Sequence, residues 1–128
     1  MVQQVTNGIK ISVSSSFKGT SYRNYIRRYA FGYQVTIENQ SNETVQLLAR
    51  HWNIYDSLNN TEIVEGLGVI GKKPVLNPSE KHTYHSNCFL TSPIGAMDGF
   101  YKMITFSTSK TFKVYIPNFQ LMVSSIYN

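Results

Sequence analysis

The run Tyr29–Asn39 constrains this chain more than any other feature. Within it Phe31, Tyr33, Val35 and Ile37 alternate with Gly32, Gln34, Thr36 and Glu38. A two-residue period built from β-branched and aromatic side chains belongs to a strand with one face in a core. In a helix the same side chains would scatter around the axis. Nowhere does a window of a dozen residues offer a competing 3.6-residue period, so almost no helix is predicted.

The flanking segments read the same way. Ile9, Ile11 and Val13 alternate with Lys10 and Ser12, and the polar, glycine-containing Ser14–Asn24 is predicted to be a loop. After the turn cluster NQSNET, Thr44–Tyr55 carries apolar residues on both faces, which predicts a central strand covered on both sides. SLNNTE is a second turn, and Ile63, Glu65, Leu67 and Val69 then alternate in a strand that runs into glycine. Two prolines in KKPVLNPSEK exclude a central strand there. Lys81–Leu90 suits a strand around Tyr84, and SPIGAMDG reads as a loop. Phe100–Phe106 and Thr111–Ile116 suit a hairpin joined by STSK, with Pro117 ending the last run.

Seven or more short strands, with one tryptophan on a central one, predict an all-β fold. The expected architecture is an immunoglobulin/fibronectin-III-like antiparallel β-sandwich. Trp52 is expected to bridge the sheets, with Phe31 or Tyr33, Val35, Ile37, and Ile104 or Tyr101 in the core. At 128 residues the chain reads as a single domain over 1–128, with its core in about 6–123. That length suffices to bury a core without disulfide or metal, and the one cysteine, Cys88, excludes an internal disulfide. There is no apolar stretch near the roughly 18 residues of a membrane span, and MVQQVTNGIK lacks the apolar core of a secretion signal. The expectation is a cytoplasmic protein without membrane insertion.

The formal net charge of +5 is unevenly placed. Residues 1–37 hold Lys10, Lys18, Arg23, Arg27 and Arg28 and no acid; beyond them seven bases meet seven acids. Lys18, Arg23, Arg27 and Arg28 form a basic patch interleaved with tyrosine in FKGTSYRNYIRRYAF. Such a patch can follow a phosphate backbone or steer an acidic protein. Five bases are few beside the dense stripe of a nucleic-acid binder, which disfavours nucleic acid.

Three constellations invite chemistry. Gly66-x-Gly68-x-x-Gly71 has dinucleotide-motif spacing, but Lys72, Lys73 and Pro74 follow it where that site needs a helix. Glycine at a strand end permits a bend or a positive φ instead. An anion-binding nest beside Lys72 and Lys73 is the alternative. His82-x-x-His85-x-x-Cys88 has metal-ligand residue types, yet positions three apart on a strand face opposite ways, and Cys88 is expected beyond the strand end. In Arg50-His51-Trp52, Arg50 and Trp52 share one face, as a cation–π or hydrogen-bonded pair, and His51 faces away. His51 as a general base would need a pocket and an electrophile. The carboxylates are scattered and no G-x-S-x-G elbow occurs, so no catalytic residue and no cofactor are expected, and the chain reads as non-enzymatic.

The stretches VQLLARHWNIYD, VEGLGVIGKKPVLNPSE, TYHSNCFLTSPIGAMDGFYKM and FKVYIPNFQL, in that order, resemble the ApaG family in its stand-alone bacterial form over about residues 6–123. The family pattern falls on Arg50, His51, Trp52, Gly66, Gly68, Gly71, Pro74, Leu76, Pro78 and Glu80. It continues through Pro93, Gly95, Met97, Gly99, Tyr101, Pro117 and Phe119. Ser79 and Asn87 stand where the family usually has glycine. The resemblance implies a fibronectin-III-like sandwich and a link to cobalt tolerance and magnesium efflux, with no established activity. Similar domains in eukaryotic F-box proteins and a polymerase-interacting protein are taken to mediate protein–protein contact.

The resulting expectation is a non-enzymatic binding module for a protein partner. Gly66, Gly68, Gly71, Lys72 and Lys73 are the candidate partner- or anion-binding residues, and Arg50, His51 and Trp52 are mainly structural. Weak anion or phosphate binding at the glycine-rich loop and direct divalent-cation sensing are the alternatives. No metal site is expected, and homo-oligomerisation is left open.

Overall fold

A computed structural model describes residues 1–123. Its described residues contain nine antiparallel strands and no helix: β1 (Val2–Thr6), β2 (Ile9–Arg23), β3 (Ile26–Asn39), β4 (Val45–Asp56), β5 (Glu62–Leu67), β6 (Val75–Leu76), β7 (Lys81–Leu90), β8 (Ile94–Thr105) and β9 (Thr111–Met122). One sheet has the order β1-β2-β3-β7 and the other β5-β4-β8-β9, with β6 paired to β4. The two sheets form a β-sandwich, as the alternation predicts.

The inner residues of β3 bury as expected: Phe31, Tyr33, Val35 and Ile37 all face the core, and Tyr101 joins them from β8. Ile104 faces away from it and stays half-exposed. Trp52 is 2% exposed and packs its ring on Tyr33 (5.4 Å), Phe119 (6.0 Å) and Tyr101 (6.3 Å), so it does bridge the sheets. Removing such a side chain typically costs about 3–5 kcal/mol.

Four local expectations are corrected. The polar segment 14–23 is strand, not loop: it pairs with β3 as far as Arg23↔Ile26, but only Phe17 in it packs against the core, so it carries no apolar alternation. Strand β4 is central but not covered on both faces. A bulge between Leu47 and Ala49 switches its side-chain parity, so Val45 and Leu47 point inward before it and Trp52 and Ile54 after it. Strand β8 begins at Ile94, inside the glycine-rich segment read as a loop. Its glycines answer a close approach: an added Cβ would sit 2.2 Å from the Tyr55 carbonyl oxygen at Gly95 and 1.9 Å from that of His51 at Gly99. Finally, β9 runs through Pro117. The β8–β9 register jumps from Gly99↔Ile116 to Met97↔Phe119, so the proline falls at a bulge where no ladder donor is needed.

The sandwich is closed on one side and open on the other. On the closed side Ser15 Oγ donates to the Gln120 carbonyl (3.1 Å), and the Tyr115 N–H donates to Thr6 Oγ1 (3.3 Å). On the other side β5 and β7 are each an edge of their sheet.

Candidate functional site

A groove of about 380 Å³ opens between these edge strands. Trp52, Tyr33 and Tyr84 line its floor together with Met97; Glu62, Val64, Cys88 and Phe89 line its flanks, and Ile70 and Gly71 its end. Arg50 and Arg28 also face it.

Arg50 links the groove to the glycine motif. Its Nη1 donates to the carbonyls of Leu67 (3.0 Å) and Gly68 (2.9 Å), fastening the chain as it leaves β5. Its partners are those two carbonyls; it pairs with Trp52 neither by a cation–π contact nor by a hydrogen bond among the described residues. No carboxylate pairs with it there either; the one ion pair is His51–Glu65. The glycine spacing follows. A Cβ on Gly66 would sit 2.8 Å from Arg50 Nη2, and one on Gly68 2.3 Å from the Lys72 carbonyl oxygen. Val69 and Lys72 exchange backbone hydrogen bonds (2.8 and 3.0 Å) around Ile70 (φ 47°) and Gly71 (φ 72°). Positive φ at both central residues is the two-residue turn that matches strand twist.

This hairpin narrows the anion-nest idea. The amides of Gly68, Val69 and Lys72 already donate to the carbonyls of Leu48, Lys72 and Val69. Ile70 and Gly71 are left to meet an anion, with the exposed Lys72 and Lys73 side chains nearby.

The groove floor is aromatic and neutral. Tyr84 and Tyr101 share a hydroxyl–hydroxyl hydrogen bond. Burial pushes both phenols and that of Tyr33 above the ordinary tyrosine value, with Arg50 opposing the rise. Cys88 lies inside β7 rather than beyond it, buried against the groove. Burial first, then Glu62 and Asp56, pushes its thiol up to about 12, so it stays protonated.

The remaining candidates lie elsewhere. His51 faces the outer side of its sheet, stacked on Phe100 (4.8 Å), with Nδ1 3.2 Å from Glu65 Oε2. Its Nε2 is 3.1 Å from Asn53 Oδ1, while Asn53 Nδ2 donates to Asp98 Oδ1 (3.1 Å). That second bond orients the Asn53 amide with its oxygen toward the ring. Tyr55 and Asn118 complete this chain by donating to Asp98. His82 and His85 diverge as expected: register pairs His82 with the inward Ile37 and His85 with the outward Gln34. Burial and then the charge of Lys72 push His82 below its ordinary value. Among the described residues no three of His, Cys, Asp and Glu converge. Lys18, Arg23, Arg27 and Arg28 sit on the β2–β3 hairpin, and Arg28 reaches the groove over Phe89, 4.1 Å from its ring centroid.

Sequence reasoning missed the groove itself. It also missed Asp56, which ties the end of β4 to the β7–β8 turn. Asp56 Oδ2 accepts from the Thr91 amide and hydroxyl (both 2.7 Å), and Oδ1 from Ser92 Oγ (2.6 Å) and the Leu58 amide (3.2 Å). The T-S pair at Thr91 and Ser92 is the only signal in the sequence.

Fold and groove together define a two-sheet all-β module with one aromatic cleft at its open side. Comparisons with known proteins agree. The family model for the ApaG domain matches residues 19–105. Protein ApaG of Mesorhizobium japonicum is 41% identical over 121 residues, covering 94% of this chain and 92% of that protein. Protein ApaG of Brucella abortus is 41% identical over 123 residues, covering 96% and 94%. An ApaA protein crystal structure from Bordetella pertussis superposes with a TM-score of 0.84 at 32% identity, covering 98% of this chain and 99% of that one. The X-ray structure of a structural-genomics target designated SoR45 superposes with a TM-score of 0.88 at 31% identity, covering 94% and 90%. The chain belongs to the ApaG family.

Proposed function

We propose that this chain is a non-catalytic, cytoplasmic binding module that holds a partner protein in the groove between β5 and β7. The observation that supports this most is the groove: an aromatic floor beside an arginine with no carboxylate partner, open between two strand edges. Clefts with apolar walls and a few convergent polar groups are the common form of a binding site. The groove's nucleophile candidate is a thiol kept protonated by burial and by the charges of Glu62 and Asp56, which favours binding over turnover. On this reading the family's link to cobalt tolerance and magnesium efflux acts through the partner.

Gly68→Asp is a poor probe, because a side chain there collides with Lys72 backbone. Ile70→Asp is better: the side chain is 61% exposed, and aspartate tolerates a left-handed turn position. A photo-crosslinker at Ile70 should trap a specific protein in bacterial cytosol, and one at Tyr115 on the outer sheet face should not. Ile70→Asp should abolish retention of that protein. Equal trapping from both positions, or turnover of a substrate by the purified chain, would reject this reading. A second reading, weak anion binding, is favoured by Lys72 and Lys73 beside the two unused amides. Titration with pyrophosphate at low salt should then give heats that a Lys72→Ala, Lys73→Ala variant lacks.

A further inference from the structure

The β2–β3 hairpin reaches beyond the sandwich. Strand β7 covers β3 only to Tyr29, opposite Leu90, and β1 covers β2 only from Ile9 to Val13. Past the bulge between Phe17 and Gly19 the ladder runs on, and residues 21–23 pair with 26–28 as a two-stranded ribbon beyond the end of β7. Asn24 (φ 52°) and Tyr25 (φ 66°) close it in a tight turn. Among the described residues, the outer edge of β2 from Gly19 to Arg23 has no ladder partner.

The ribbon buries little yet displays much. Tyr25 is wholly exposed, Tyr22 is 71% exposed and Ile26 is 56% exposed. Arg27 stands opposite Tyr22 and Arg23 opposite Ile26, Lys18 and Arg28 lie further back toward the sandwich, and none of the four pairs with a carboxylate among the described residues. A ribbon of two strands is marginal alone, and large apolar side chains at its tip add no folding energy there.

We propose that this arm is a docking strand for an extended, acidic segment of a partner protein. The segment adds along the free edge of β2, places the carboxylates of one face against Arg23, and packs the apolar residues of its other face on Tyr22 and Tyr25. Three observations select this occupant. A free strand edge supplies main-chain hydrogen bonds to an extended peptide. Arginine, tyrosine and an aliphatic residue, with few lysines, is the composition of protein interface cores. Every charge on the arm is positive, which calls for an acidic partner and repels a second copy of the same arm. For single-stranded nucleic acid the cations are few, and two of the rings, Tyr29 and Phe89, already lie under Arg27 (5.2 Å) and Arg28 (4.1 Å). Of the arm's residues only Arg28 also faces the groove and it takes no part here, so this inference rests on the binding-module reading only in making the partner a protein.

The test uses the full chain and three fluorescein-labelled probes at low ionic strength: a decapeptide of alternating Glu and Val, the same peptide N-methylated at every backbone amide, and decathymidylate. Anisotropy should show the Glu–Val peptide binding about tenfold or more tighter than the equally charged N-methylated peptide, which has no backbone donor for an edge. Arg23→Ser should weaken it about threefold, and Tyr22→Ser with Tyr25→Ser about tenfold. Bound Glu–Val peptide should slow amide exchange in Gly19–Arg23. Equal binding of the two peptides would reduce the arm to plain charge and overturn the proposal. Tighter binding of decathymidylate would make it a nucleic-acid surface. Concentration-dependent dimerisation abolished by the tyrosine pair would make the occupant a second copy. Loss of the peptide with Ile70→Asp but not with the arm variants would place it in the groove, overturning this inference while supporting the groove reading.

Discussion

Asn39 offers a sharp test of how the sandwich is held at the end of β3. Its side chain is fully buried. Nδ2 donates to the carbonyls of Glu43 (2.7 Å) and Leu76 (3.0 Å), and Oδ1 accepts from the Ser41 amide (3.0 Å) and hydroxyl (2.6 Å). One amide thus joins the β3–β4 turn to β6. In Asn39→Ala, Ser41 and Glu43 recover water because they are partly exposed, and the buried Leu76 carbonyl keeps only its ladder bond to β4. Net loss of four hydrogen bonds, one of them to a carbonyl that water does not reach, gives about 3 kcal/mol. At this chain length that lowers Tm by roughly 10 °C. Asn39→Asp keeps the shape but turns a carboxylate toward two carbonyl oxygens, so at neutral pH it should cost more than alanine. The folded state then prefers the protonated acid, raising its pKa above the unfolded value of about 3.9. The excess penalty is complete above the folded pKa and fades as pH falls toward the unfolded one. Urea unfolding of the three proteins at neutral and acidic pH measures this. An alanine cost below about 1 kcal/mol, or an aspartate variant as stable as wild type at neutral pH, would refute the reasoning.

Three further outcomes follow from the same structure. Although burial alone would raise the Asp56 carboxyl, its hydrogen bonds to Ser92, Thr91 and Leu58 hold it below the ordinary value. Its contribution is therefore present above about pH 3.9 and lost as pH falls through the folded pKa; Asp56→Asn should lose about 2 kcal/mol at neutral pH and show a shallower acid slope in urea melts. Cys88 should resist a thiol-specific disulfide reagent in the native state and react fully in denaturant, and rapid native labelling would contradict its burial. Chelation with EDTA should leave Tm unchanged and micromolar Co²⁺ should not raise it. His82 and His85 leave opposite faces, and Cys88 stands roughly 20 Å along the strand from His82. A rise of several degrees, abolished by His82→Ala or Cys88→Ser, would move cation sensing ahead of protein binding.

Period-two alternation made β3, the fold class and the place of Trp52 legible in the sequence, because a strand facing a core must alternate whatever surrounds it. The divergence of His82 and His85 and the separation of Arg50 from His51 follow from the same rule. Alternation says nothing where a strand has no core beneath it, and so the outer half of β2, with Phe17 and Tyr22 alone among polar residues and glycine, reads as a loop. Bulges also defeat it: one between Leu47 and Ala49 makes a one-faced strand look apolar on both sides. The glycines of SPIGAMDG look like turn residues, and only the β4 backbone lying against them reveals a strand. The groove is legible in no single segment, since Arg50, Tyr84, Trp52 and Ile70 come from two strands of opposite sheets and a turn. Which strands lie at the edges, and therefore where the sandwich stays open, is decided by long-range pairing. Local side-chain chemistry specifies a strand's face but not its neighbours.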